Sequence, residues 1–339
     1  MSAFDPDSAG TGEGLFGLVP PAHPAVLVIA VPWEATASYG RGTSRAPAAI
    51  EAASQQVDLH DLEYGPIWKA GIGWAPVAGD IAGWNHEASA KALPVIQAGG
   101  VGEDAALKRA AARVDELARK RDDVVHAAAT AAFDAGQIPV VLGGDHSSPL
   151  GLIRASADRH PNLGILHIDA HADLRVAYMG FESSHASIMH CALHSSPIQR
   201  LVGVGYRDVG RSELEAIEAS GGRCKPFFDP DIGHRLMRGG NWADIVDEII
   251  DELPESVHIS FDIDGLDPSL CPHTGTPVPG GLRYREAMFL LRTLADRRQV
   301  VSFDLCEVSP GGSDEWDANV GARMLYKLAG CALFSQVRQ

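Results

Sequence analysis

Six short, largely apolar runs recur along the chain, at residues 25–31, 138–142, 163–168, 201–204, 257–261 and 300–305. The first, AVLVIAV, has no polar residue alternating with the apolar ones. A strand solvated on one face alternates, whereas a strand buried on both faces does not. Between the runs lie stretches of helical periodicity: residues 105–135, closed by Gly136, then 212–220, 242–253, 284–294 and 320–328. Strand and helix alternating over the whole length predict an α/β chain with a mostly parallel sheet and helices on both faces. No internal repeat, serine-rich linker or abrupt change of composition divides the chain, so residues 25–339 are expected to form one domain. Residues 1–24, rich in glycine, proline and alanine, are expected to form a flexible arm or a subunit contact.

Composition excludes several functions. With 45% hydrophobic and 21% charged residues over 339 positions, the chain has ample material for a large core. A formal net charge of −16 opposes binding to a nucleic-acid backbone or an anionic membrane. It suits a cationic small molecule, or simply an acidic surface. The five cysteines, Cys191, Cys224, Cys271, Cys306 and Cys331, are scattered and form no Cys-x-x-Cys pair. That argues against a disulfide framework or a zinc knot. The acidic start, MSAFDPDSAG, and the lack of an apolar run of membrane-spanning length lead to the expectation of a cytoplasmic protein.

The chemistry-bearing residues follow the apolar runs, which is where ligands bind in sheets of this kind. Asp169-Ala170-His171-Ala172-Asp173 follows residues 163–168, and Asp262-Ile263-Asp264 follows residues 257–261. Side chains two apart on an extended chain point the same way, so each set is expected to converge. Gly143-Gly144-Asp145-His146 follows residues 138–142, its glycines expected to allow a sharp turn that presents His146. With Asp145 left aside, these strand ends offer four carboxylates and two imidazoles. So many acids in one place would repel, and some would be forced to protonate. Two divalent cations would cancel the charge. An oxygen-rich set with one imidazole per ion suits Mn²⁺, and less specifically Ni²⁺, Co²⁺ or Zn²⁺. Two such ions roughly 3.5–4 Å apart could share a water and lower its pKa towards neutrality.

GGDHS at residues 143–147, DAHADLR at 169–175, SFDIDGLDPS at 260–269 and GTPVPGGLRYREA at 275–287 resemble the ureohydrolase family of arginases and agmatinases. The resemblance spans about residues 31 to 328. It implies a three-layer α/β/α fold, often assembled as homo-trimers or homo-hexamers, in which two metal ions support hydrolysis of a guanidino compound to urea. By it, His146 and Asp173 serve one ion, His171 and Asp264 the other, and Asp169 and Asp262 bridge both. The family's usual metal is manganese, and some guanidine-cleaving members resemble nickel enzymes; a related or metal-loading accessory subunit is a further partner to consider. Glu307 matches the family's glutamate that pairs with the guanidinium, a planar multi-donor cation suited to a carboxylate. Thr276 resembles a threonine lining the substrate pocket. His185 falls where the family places its proton-shuttling histidine, with His190 the other histidine nearby. The family commonly has His-Gly at that point, and this chain has His-Ala. Asp173 is further implied in stabilising the tetrahedral intermediate.

Residues 176–184, VAYMGFESS, lack the asparagine with which arginase-like members hold an amino acid's carboxylate, which disfavours L-arginine. SHAS at 184–187 and EWDANVG at 315–321 resemble agmatinase-labelled relatives that include guanidine hydrolases. The expected substrate is therefore compact: free guanidine, an alkylguanidine or biguanide, or agmatine. Two other classes compete. A binuclear metallophosphatase also places Asp-x-His at a strand end, but needs a Gly-Asn-His-Asp/Glu segment and further downstream histidines that are not apparent. A catalytically inactive or regulatory subunit of a mixed oligomer is expected to have lost ligands, and all six are present here.

Overall fold

The structure, a computed structural model, describes residues 6–7, 13–19, 21–312 and 315–337. At its centre lies an eight-stranded sheet of β1 (Val26–Val31), β2 (Ile72–Trp74), β3 (Ile138–Gly143), β4 (Gly164–Ile168), β5 (Arg200–Val204), β6 (Cys224–Phe227), β7 (Ser256–Asp262) and β8 (Gln299–Cys306). The spatial order is β2-β1-β3-β8-β7-β4-β5-β6, and every neighbouring pair is parallel. Around it pack α1 (Ala46–Ser54), α2 (Ile81–Gln97), α3 (Ala105–Asp134), α4 (Leu150–Arg159), α5 (Ile188–Ser195), α6 (Arg211–Ala219), α7 (Asp229–Met237), α8 (Trp242–Asp251), α9 (Tyr284–Arg297) and α10 (Trp316–Gln336).

The pleat sends successive side chains to opposite faces, and the core divides accordingly. Val26, Val28, Val140 and Leu142 pack with residues of α1, α8, α9 and α10. Ile29, Val31 and Val141 pack on the other face with α2 and α3. Further along that face, Ile165 and Leu201 meet α4 and α5. Both faces are covered, giving three layers. The six apolar runs are β1, β3, β4, β5, β7 and β8. The strands without such a run, β2 and β6, are short edge strands of sequence IGW and CKPF. Of the helices, α3 is the longest, and Asp104 caps it by accepting the N–H groups of Ala106 and Leu107.

Part of the expected N-terminal arm is docked. Leu15, Phe16 and Leu18 are buried in the core, the Phe16 ring lies 4.8 Å from that of Tyr326, and Phe16 N donates to Ser54 Oγ at 2.8 Å. Apolar side chains within a glycine-rich stretch explain the difference. Residues 1–5, 8–12 and 20 of that stretch lie outside the described residues. All five cysteines are free. Among the described residues, no helix is long and apolar enough to cross a membrane.

The chain passes from β3 to β4 across two lanes that β7 and β8 fill later. This leaves β3, β8, β7 and β4 side by side at the centre, with their carboxyl ends opening on one rim. Ligands bind beyond such ends, where strand order reverses.

Candidate metal centre

Each of the four central strands delivers part of the site. His146 sits in the turn between β3 and α4, and Asp169, His171 and Asp173 follow β4. Asp262 ends β7, Asp264 comes directly after it, and Glu307 follows β8. The six residues expected to bind metal come together. His146 Nδ1 lies 2.9 Å from Asp169 Oδ2, 3.1 Å from Asp262 Oδ2 and 3.4 Å from Asp173 Oδ2. His171 Nδ1 lies 3.3 Å from Asp169 Oδ1 and 3.1 Å from Asp264 Oδ2. The two oxygens of Asp169 thus face different imidazoles.

The convergence comes from turns, not from the extended backbone expected of these segments. Asp173 has φ of 53°, in the left-handed region, which costs a non-glycine residue roughly 1–3 kcal/mol. Its carbonyl accepts N–H groups from Met189 and His190 at 3.0 and 3.2 Å, and these bonds at the start of α5 hold the turn. Asp264 lies in a single 3₁₀ turn, Ile263–Gly265. Asp262 caps that turn by accepting Asp264 N–H at 2.8 Å. Gly144 is not among the glycines with a left-handed backbone, so conformational freedom is not what requires glycine at this turn. A Cβ there would lie 1.8 Å from the Trp33 carbonyl oxygen, so close approach of the chain leaving β1 is what requires glycine.

The electrostatics of the cluster suit a cation. Burial disfavours charge on His146, yet hydrogen bonding to Asp169, Asp173 and Asp262 raises its pKa well above the ordinary value. Desolvation opposes charge on His171 as well, but Asp264 and Asp169 push it up to about 12. Burial and the neighbouring charges of Asp264 and Asp169 push Asp262 well above the carboxylate range, and burial and Asp169 raise Asp173. For Asp169, burial is outweighed by His167, His146 and His171, which hold its carboxyl well below that range. Protons on the imidazoles and on some carboxyls are thus needed to balance the nest. Divalent cations fit the same donors. His146 Nε2 faces Ser260 Oγ at 2.9 Å, leaving Nδ1 to face the carboxylates.

The cluster opens into a cleft of about 160 Å³ lined by His146, His171, Asp173, Asp262, Glu307, Thr276, His185 and their neighbours. Glu307 also has a left-handed backbone, with φ of 61°. Burial and the nearby Asp145 raise its pKa well above the ordinary value. Thr276 lines the cleft with its hydroxyl 3.5 Å from Asp264 Oδ2. His185 is a lining residue; His190 is not, and its ring stacks 4.0 Å from that of His194 on α5.

Several members of the site carry no expectation from the sequence. His167 Nε2 lies 2.9 Å from Asp169 Oδ2, and its Nδ1 lies 2.6 Å from Tyr206 Oη. It precedes Asp169 by two, so the two-residue spacing rule could have found it. Arg175, Tyr178, Asp208 and Glu213 also line the cleft.

Known proteins resemble this chain in sequence and in fold. N(1)-aminopropylagmatine ureohydrolase of Thermus thermophilus is 34% identical over 287 residues, covering 85% of this chain and 83% of that protein. Proclavaminate amidinohydrolase of Streptomyces clavuligerus is 29% identical over 311 residues, covering 90% of this chain and 88% of that one. The crystal structure of agmatine ureohydrolase of Thermoplasma volcanium has the same fold, with a TM-score of 0.71 at 24% identity over 92% of this chain and 91% of that one. With residues 24–331 matching the Arginase family, the chain belongs to that family.

Proposed function

We propose that this chain hydrolyses a compact guanidino compound to urea and ammonia or an amine, using two divalent metal ions. The observation that carries this reading is that Glu307, His146, His171, Asp173 and Asp262 line one small cleft, with Asp169 and Asp264 directly against its two imidazoles His146 and His171. Members of the family are metal-dependent amidinohydrolases. His146 and Asp173 would hold one ion and His171 and Asp264 the other, with Asp169 and Asp262 between them. Once bound, the ions, Mn²⁺ or Ni²⁺, would supply a water of lowered pKa and positive charge against the developing oxyanion.

The chain's own groups do the rest. Glu307 Oε1 accepts His146 N–H at 2.9 Å, which leaves Oε2 for the N–H donors of a guanidinium. A cation docked there compensates the buried carboxylate. Asp173 accepts a hydrogen bond from a substrate nitrogen as the central carbon becomes tetrahedral. His185, kept neutral because desolvation lowers its pKa, takes a proton from the attacking water and returns it to the departing nitrogen.

The small cleft supports a compact substrate. Tyr178 narrows it, its ring 5.7 Å from that of His185. Arg175 adds little free positive charge, because Glu213 pairs with it at 3.6 Å and it lies over the Tyr178 ring at 5.3 Å. Asp208 keeps the wall acidic, which favours a cation. The names of the curated relatives point to guanidino compounds of several lengths. Urea release from guanidine, methylguanidine, agmatine and arginine tests the reading. The highest kcat/KM is expected for one of the first three, and a clear preference for arginine contradicts it.

A further inference from the structure

Thr36, in the loop after β1, lies between a buried carboxylate and the histidine of the cleft. Its Oγ1 donates to Asp145 Oδ2 at 3.2 Å and accepts the backbone N–H of His185 at 3.3 Å. The same oxygen lies 3.3 Å from His185 Nδ1. Thr36 and Asp145 are both buried.

A hydroxyl has one proton to give and two lone pairs to offer. Asp145 already acts as an acceptor, its Oδ1 taking the N–H of Ser147 at 3.1 Å and its O–H at 2.5 Å. Arg121 holds Ser147 in turn, donating to Ser147 Oγ and to its carbonyl, each at 2.8 Å. The Thr36 proton therefore goes to Asp145, and both lone pairs are left for His185. One takes the backbone N–H. The other can meet the ring only if Nδ1 carries a proton. Nε2 then carries the lone pair, and among the described residues it has no hydrogen-bond partner.

We infer that Thr36 is a positioning residue: braced by Asp145, it holds His185 as the Nδ1–H tautomer with the Nε2 lone pair available to the cleft. A neutral ring of the opposite tautomer would present an N–H there and could not take up a proton at that nitrogen. The kinetic consequence rests on the proposed role of His185 in hydrolysis; the tautomer does not.

The test is nitrogen NMR of zinc-loaded protein carrying ¹⁵N-labelled histidine rings, with the His185 signals identified by their loss in His185→Asn. Wild type and Thr36→Ser should show the Nδ1–H pattern, whereas Thr36→Val should shift towards Nε2–H. The proposed proton transfer further predicts a fall in kcat of about 10-fold or more for Thr36→Val, with KM changed by less than about 2-fold and Thr36→Ser close to wild type. A wild-type ring protonated on Nε2 overturns the inference even if Thr36→Val fails to fold, and so does a Thr36→Val ring that keeps the wild-type pattern. A shifted tautomer with unchanged kcat supports the positioning and removes His185 from proton transfer.

Discussion

Glu307 and His146 are latched together across the ends of β8 and β3. Glu307 Oε1 accepts the backbone N–H of His146 at 2.9 Å, and Glu307 N donates to the Gly144 carbonyl at 2.8 Å. The carboxylate proposed to meet the substrate therefore also fixes the turn that carries a metal-ligand candidate.

Glu307→Gln separates these two roles. The amide oxygen can still accept from His146, so fold and metal content should be retained, while the charge that meets the guanidinium is lost. A hydrogen bond to a charged group contributes about 1.5–3 kcal/mol, so kcat/KM should fall roughly 10- to 100-fold. Urea release measured beside metal content checks this, and undiminished activity rejects the docking role.

Chelation should destabilise the protein. Removing ions leaves Asp169, Asp173 and Asp262 to be balanced by protons alone. Ligands that bind only the folded state stabilise it by a few kcal/mol at saturation, so Tm should drop by on the order of 5–10 °C and recover when Mn²⁺ is added back. A melting curve indifferent to chelator and metal speaks against the nest.

Arg121 is wholly buried, pairs with Asp122, donates twice to Ser147 and lies 4.7 Å from the centre of the Trp33 ring. Arg121→Met fills similar space but leaves Asp122 buried without its cation. A loss of about 3–5 kcal/mol is expected in chemical denaturation. A variant within about 1 kcal/mol of wild type would mean that this pair does not brace the turn around His146.

The His185 ring should titrate below its ordinary value of 6.5, because desolvation in the cleft wall lowers its pKa. Asp145 and Asp173 act to raise it, while His171 and His146 act to lower it. Bound cations would push in the lowering direction too. Since the folded ring binds its proton less tightly than the unfolded one, His185 costs stability as pH falls through 6.5, not as it rises. An NMR titration of the ring with a midpoint above 6.5 contradicts this.

Much of this architecture was legible in the residues. Strands buried on both faces leave unbroken apolar runs, and the candidate ligand clusters stand directly after three of them. The edge strands β2 and β6 left no run because they are short and mixed in character. Asp173 and Glu307 show nothing in the sequence of their left-handed backbones, which the surrounding hydrogen bonds impose. Thr36 and His185 are 149 positions apart, so only the packing of two loops joins them. Gly144 was noticed for its freedom, whereas the structure needs its small size beside Trp33.

The most direct test is anomalous diffraction from crystals of the protein loaded with Mn²⁺ or Ni²⁺. Two metal peaks are predicted, one near His146 Nδ1 and Asp173 and the other near His171 Nδ1 and Asp264, with Asp169 reaching both. No peak, or ions bound only away from these residues, would contradict the account.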